Sequence, residues 1–319
     1  MITEDLKNFP KQFSWEPQIE NEDKLTLAEN FVVCGMGGSH LAADLAQIRL
    51  PQLSLTIHSD YGLPLWPKPG LGIVSSHSGN TEEALDSFDS ARRQNIPVAV
   101  ITSGGKLLEL AKKHNVPFVQ TPDSKIQPRF ALGYGLMALL RMTKQNEAMV
   151  EASRLSDLLD PSSADKKGQE LAQKLHHKIP IIYASTPNTA MALTWKIKFN
   201  ETAKIPAFYN VWPELNHNEM NGFDTKEKTM PLMEKFHFLF LQDQTDHPQI
   251  IKRLDATKRL LEKQEFKVEI LPLAGESVFH KIFQSLLVAD WTSYYLAEFY
   301  GADPEQVPLV EEFKKLIAN

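Results

Sequence analysis

The first half of the chain alternates short apolar runs with segments of helical spacing. FVVCG (31–35), LSLTIH (53–58), LGIVSS (71–76), PVAVITS (97–103) and PFVQT (117–121) read as strands, each a brief apolar run bounded by polar or turn residues. Between them, HLAADLAQIRL (40–50), TEEALDSFDSARRQ (81–94) and LLELAKKHN (107–115) carry helical spacing. The second of these helices has acidic residues in its first turn and Arg92 and Arg93 in its last, the order the helix dipole favours. Alternation at this spacing predicts a mainly parallel sheet flanked by helices on both faces, an α/β/α sandwich.

From about 145 to 177 the chain turns polar and helical, with Asp160 and Pro161 stopping and restarting a helix. The earlier rhythm then returns: IPIIYAS (179–185), a helix over TAMALTWKIKFNETA (189–203), HFLFLQ (237–242), a charged helix over HPQIIKRLDATKRLLEKQ (247–264) and FKVEILPL (266–273). Two tandem α/β domains are expected, residues 1–150 and 178–319, with a helical connector over 151–177. FVVCGMGGS answers IIYASTPNT, and IVSSHSGNTEEAL answers FLFLQDQTDHPQI. The copies differ in one respect, because Ser76, Ser78 and Thr81 have no hydroxyl-rich counterpart in LQDQTDHP.

Two loops of the first half could carry chemistry. A strand ending in Ser76-His77-Ser78-Gly79-Asn80-Thr81 and turning into a helix gathers backbone N–H groups, hydroxyls and the positive end of a helix dipole. That combination suits a phosphate; the same residues would also serve as ordinary helix caps. A second glycine-rich turn, CGMGGSHLAADL, links another strand and helix, and two such loops at the carboxyl ends of parallel strands face one crevice. GMGGSH lacks the third glycine of the dinucleotide fingerprint, which His40 replaces, and neither loop is a Walker motif. Nucleotide binding is the weaker reading of both.

Composition narrows the partners. With 34 Lys and Arg against 40 Asp and Glu, the net charge of −6 argues against nucleic acid and anionic membrane surfaces and leaves a small soluble partner. The single cysteine, Cys34, excludes an intramolecular disulfide and lies in an apolar run, so a buried packing thiol and a cytoplasmic setting are expected. The first residues show no signal-peptide pattern, and no apolar run approaches the roughly 18 residues of a membrane span. His176 and His177 are adjacent rather than four apart, and no histidine pair has metal-ligand spacing, so neither a metal nor a cofactor is expected.

GMGGS, then SHSGNTEE, then ITSGGKLLELAKKHNVP resemble the sugar isomerase (SIS) domain, whose serine and threonine loop holds the phosphate of a phosphosugar. KFNETAKIPAFYNVWPELNHNEMNGF, QPRFALGYG (127–135) and the tail DPEQVPLVEEFKKLI are similar to the bifunctional phosphoglucose/phosphomannose isomerases, which are built from two tandem SIS domains. The resemblance implies aldose–ketose isomerisation of a 6-phosphosugar through a cis-enediolate. Glu201 would be the base that moves the proton between C2 and C1. His217 would open the ring, supplied by the neighbouring subunit of a homodimer. Arg129 would be the fixed cation beside the enediolate. Lys314 would stand near the ring oxygen, with Lys315 as its rival one position on. The phosphate falls to Ser39, Ser76, Ser78 and Thr81, on a backbone shaped by Gly37, Gly38 and Gly79. Two positions depart from the family pattern: Val307 stands where threonine is frequent, and His77 where tyrosine is more usual. A non-catalytic SIS regulator of the same ligand class needs the phosphate loops but not Glu201, His217 and Arg129 together. An amidotransferase-type isomerase would need a glutaminase domain that Cys34 cannot supply.

Overall fold

The computed structural model describes residues 2–66, 70–122 and 126–317. The chain divides into two compact units, one of Lys7–Leu159 with Ser277–His280, the other of Met1–Leu6, Asp160–Glu276 and Lys281–Asn319. A short helix α1 (Ile2–Asn8) opens the chain.

The first unit is built on a parallel sheet of β1 (Asn30–Cys34), β2 (Ser54–His58), β3 (Gly70–Ser76), β4 (Val98–Thr102) and β5 (Phe118–Gln120), in the order β2-β1-β3-β4-β5. Its helices are α2 (Gly38–Arg49), α3 (Glu82–Arg93), α4 (Gly105–His114) and α5 (Leu132–Met142), followed by α6 (Asn146–Ser153) and α7 (Leu155–Leu158). Every residue of β3 and β4 is buried, which is why both read as unbroken apolar runs rather than alternating ones. Val32, Val74 and Val100 meet Phe88 of α3 and Leu107 of α4 in one core, and Cys34 lies in it. Burial pushes the Cys34 thiol up to about 11, so it packs rather than reacts.

The second unit repeats the plan. Its parallel strands β6 (Ile179–Ser185), β7 (Phe208–Trp212), β8 (Phe236–Asp243) and β9 (Lys267–Leu273) run in the order β7-β6-β8-β9, which reproduces β2-β1-β3-β4 position for position. The helices here are α8 (Pro161–Leu175), α9 (Thr189–Lys198), α10 (Pro248–Lys263), α11 (Val278–Tyr300) and α12 (Pro308–Ile317). Asp160 caps α8 by accepting from the Ser163 N–H at 2.9 Å, with Pro161 in the first turn, as the Asp-Pro signal predicts. Tyr183, Trp212, Phe238 and Phe240 build an aromatic core, with the Trp212 and Phe240 rings edge to face at 4.9 Å.

Two elements differ from the sequence reading. FYNVW is strand β7, an edge strand whose first two residues are exposed, so it carries no apolar run to betray it. The helix expected over 189–203 is α-helical only to Lys198; Phe199–Ala203 forms a π-helical turn ending at Lys204, which has φ 58°.

His237 of β8 is 3% exposed, and neither ring nitrogen has a hydrogen-bond partner among the described residues. Burial, the largest cause, depresses its pKa to about 4 despite the Glu269 carboxylate 3.8 Å away. Between pH 6.5 and 4 the unfolded chain therefore binds the proton that the folded chain refuses. Stability falls as pH drops through that window, by up to roughly 1.4 kcal/mol for each step of one in pH. His237→Leu is expected to flatten this acid-side loss in urea unfolding at pH 7, 6 and 5, whereas an unchanged slope would assign the loss to other groups.

Candidate functional site

In the first sheet the strand order reverses between β1 and β3, so the loops that leave these two strands flank the crevice at the carboxyl edge. They are the two loops singled out in the sequence. Gly35 lies between β1 and α2 with no room for a side chain, since a Cβ there would stand 2.6 Å from the Ser75 carbonyl oxygen. Ser39, in the first turn of α2, joins the loops: its Oγ accepts from the His77 N–H at 3.0 Å, and its carbonyl accepts from Ser75 Oγ at 2.7 Å.

The second loop is wound around Gly79, at φ 68°. Ser76 Oγ accepts from the Gly79 N–H at 3.1 Å and donates to Thr81 Oγ1 at 3.0 Å, while the Leu107 N–H of α4 donates to the Gly79 carbonyl at 2.9 Å. Thr81 occupies the N-cap position of α3 yet makes no side-chain cap hydrogen bond. The hydroxyls are thus linked to one another rather than spent on capping, and the first-turn N–H groups of α3 have no intrahelical acceptor. Ser78 is exposed, and its Oγ accepts from the Asn80 N–H at 3.3 Å. The arrangement is a set of donors at the positive end of a twelve-residue helix, which is what an anion requires.

Ser39, Ser75, His77, Thr102, Thr121 and Tyr134 line a small cleft beside these loops. Thr121 is 6% exposed and its Oγ1 has no partner among the described residues. A buried hydroxyl left so costs about 1–3 kcal/mol, which a ligand atom reaching it would offset. Arg129 stands on the short turn Pro128–Phe130 next to the first loop, where a Cβ on Gly38 would meet the Arg129 backbone nitrogen at 3.1 Å. The residue is buried, with its guanidinium over the Phe130 ring at 4.8 Å. Gln12 fixes this turn: its amide donates to the Phe130 carbonyl at 2.7 Å and accepts from the Gly133 N–H at 3.0 Å. No sequence motif marks Gln12 or Thr121, because each joins the site only through contacts with segments distant in the chain.

The second unit places the other candidates separately. Glu201 is half-buried on the π-helical turn after α9. His217 is exposed, and its imidazole makes no hydrogen bond among the described residues. Its neighbours in ELNHNE are all engaged. Glu214 accepts from Asn218 at 2.7 Å, Asn216 donates to Thr257 at 2.8 Å, and Glu219 accepts from Tyr183 Oη at 2.5 Å and also from Asn210. The loop is therefore fastened on both sides of a histidine left facing solvent. Burial and the Glu219 carboxylate together hold the Tyr183 phenol far above its ordinary range, so it stays a donor. Lys314 lies exposed on α12 and pairs with Glu311 at 2.7 Å, a surface contact that is readily exchanged. Lys315 follows it, and Val307, just before α12, is half-buried.

The switch point of the second sheet lies between β6 and β8. Asp243 and Asp246 stand there. Ser185 donates to Asp246 at 2.7 Å, Thr245 donates to Asp243 at 2.7 Å, and Lys281 pairs with Asp243. Two carboxylates against one ammonium repel a phosphate, and burial as the main cause raises the Asp246 pKa. Where the first copy offers Ser76, Ser78 and Thr81, LQDQTDHP offers one hydroxyl, Thr245, between two carboxylates.

Two parallel α/β units with an anion cradle at the switch point of the first define a protein of the sugar-isomerase class. A family model described as the bacterial phospho-glucose isomerase C-terminal SIS domain matches residues 164–317. The bifunctional phosphoglucose/phosphomannose isomerase of Aquifex aeolicus is 35% identical over 97% of this chain and 96% of its own length. The protein of the same description from Caldicellulosiruptor bescii is 31% identical over 99% and 98%. The chain belongs to the bifunctional phosphoglucose/phosphomannose isomerase family. In fold it is also similar to the C-terminal domain of glucosamine-fructose-6-phosphate aminotransferase from Francisella tularensis, with a TM-score of 0.73, 14% identity and coverage of 96% of this chain and 98% of that one.

Proposed function

We propose that this protein interconverts glucose 6-phosphate and mannose 6-phosphate with fructose 6-phosphate. The observation that carries this reading is the end-to-end likeness to relatives of that description, 35% identity over 97% of the chain for the first. The hydroxyl cradle at the first switch point supports it independently. Ser39, Ser78 and Thr81, with the first-turn N–H groups of α3, hold the phosphate, and Ser76 organises them from behind through its two hydrogen bonds. Gly37, Gly38 and Gly79 let the backbone come close.

The isomerisation is an internal redox exchange between C1 and C2, so it needs no external oxidant or reductant. Glu201 takes the C2 proton of the open-chain aldose as the enediolate forms, and returns it at C1. Arg129 balances the enediolate charge, as a guanidinium can without ever losing its own proton. His217 and Lys314 serve ring opening, with His217 acting in the partner subunit of a homodimer. Its exposure supports that role, as do the exposed Phe208 and Tyr209 on the edge strand β7 nearby in sequence. Mannose 6-phosphate is handled by the same base after rotation about C2–C3 of the open intermediate. Among the described residues no helix is long and apolar enough to cross a membrane. The reaction is assigned to the cytoplasm, in keeping with a lone, buried and reduced cysteine.

Fructose 6-phosphate supplied to the purified protein should yield both glucose 6-phosphate and mannose 6-phosphate in coupled assays. Binding of fructose 6-phosphate without formation of either aldose would establish the regulator reading instead.

A further inference from the structure

Lys198 and Asp290 are each 1% exposed, and their Nζ and Oδ1 atoms stand 2.6 Å apart. A buried ion pair is weak support for stability, because desolvating two charges costs about what their attraction returns; an apolar pair of similar volume usually serves as well or better. This pair also sits at a particular place. Lys198 is the last residue of α9, and the next five residues form the π-helical turn that carries Glu201.

That turn is held from outside as well as by its own backbone. π-Helical turns are rare because their wider ring packs loosely, and they collect at functional sites. Here the Lys204 N–H closes the turn onto the Phe199 carbonyl, the Ile205 N–H adds a longer bond to the same oxygen at 3.3 Å, and Lys204 itself takes a left-handed conformation that L-residues disfavour. The brace comes from α11. Asp290 grips Lys198 at the foot of the turn, and one turn earlier Trp195 Nε1 donates to Ser285 Oγ of the same helix at 3.1 Å. Phe199, Thr202 and Ala203 are fully buried and the half-buried Asn200 donates to the Ile205 carbonyl at 2.9 Å, so the half-buried Glu201 stands on a fixed base.

We infer that the Lys198–Asp290 pair is a positioning device for Glu201, locking the π-helical turn to α11 so that the carboxylate keeps one placement. A charge pair does this better than an apolar contact because its ammonium and carboxylate must meet within hydrogen-bond distance, whereas apolar side chains tolerate sliding. The inference rests on Glu201 being the base. Neither Lys198 nor Asp290 is assigned contact with the substrate, so each acts through Glu201.

The test is the full-length double variant Lys198→Met/Asp290→Leu, assayed beside the wild type and Glu201→Gln. The apolar pair should keep the fold, with a melting temperature at or above that of the wild type. Its kcat should fall about tenfold or more with KM for fructose 6-phosphate changed less than about twofold, because misplacing a reacting group by an ångström can cost on the order of a hundredfold. A folded double variant with wild-type kcat overturns the inference. Should it not fold, Asp290→Asn keeps the shape and an acceptor oxygen. A drop in its kcat at constant KM supports the inference, and an unchanged kcat overturns it. Near-normal turnover by Glu201→Gln would instead remove the base assignment itself, which is a separate failure.

Discussion

Glu201→Gln is expected to lower turnover of fructose 6-phosphate by on the order of 10³-fold, while the phosphosugar still binds. Glutamine has the shape of glutamate and keeps an acceptor oxygen but cannot hold the travelling proton. The half-buried position on the π-helical turn gives little reason for a loss of fold. Isothermal titration with fructose 6-phosphate should therefore report an affinity within a few-fold of the wild type, since the phosphate is assigned to the first unit's loops. Proton exchange at C1 and C2, followed in deuterated solvent, should collapse along with turnover. Retained exchange with lost turnover would move Glu201 from proton transfer to ring opening, and retention of both would remove it from the chemistry.

Gly79→Ala is the second large effect, and it should strike binding. A Cβ at Gly79 would lie 1.8 Å from the Gly104 carbonyl oxygen, a separation no side-chain rotation can relieve. The residue also has φ 68°, which alanine adopts at a cost of about 1–2 kcal/mol. Because the Gly79 N–H donates to Ser76 Oγ and its carbonyl accepts from Leu107, any backbone shift pulls the Ser76–Thr81 pair and α4 apart together. KM should rise by more than tenfold, a loss of at least about 1.4 kcal/mol in binding, with a lowered melting temperature. Gly62→Ala is the internal control. It too has a positive φ, 70°, but it lies outside the phosphate loops and nothing stands within 4 Å of its Cβ, so KM should change far less. Equal effects at the two glycines would show that backbone strain, and not the contact with Gly104, governs the cradle.

Much of this architecture was legible in the residues. β1, β3, β4, β6 and β8 are apolar runs because parallel strands are covered on both faces, and the repeat of strand, loop and helix exposed the duplicated plan that the two sheet orders display. The edge strand β7 was not legible, since one of its faces and its outer edge need no apolar residues. Ser76, Ser78 and Thr81 could be proposed from sequence because a run of donors between a strand and a helix is local, and Ser39 because it lies on the matching turn after β1. Gln12, which holds the Arg129 turn, and Thr121, which lines the cleft, could not, because each comes from a segment that only folding brings near.

The sequence by itself determined the parallel α/β plan, its duplication, and the loss of hydroxyls from the second copy, all of which follow from periodicity and residue type. Tertiary structure alone decided what those residues touch. It showed Thr81 joined to Ser76 instead of capping its helix, and it filled the second switch point with Asp243 and Asp246. It also turned the end of α9 into a π-helical turn braced by a buried ion pair formed between residues 92 positions apart. The physical reason is range. Strand and helix signals are set by neighbours a few residues away, whereas a hydrogen-bond partner, a buried charge or a forbidden Cβ is defined by whichever distant segment packs against it.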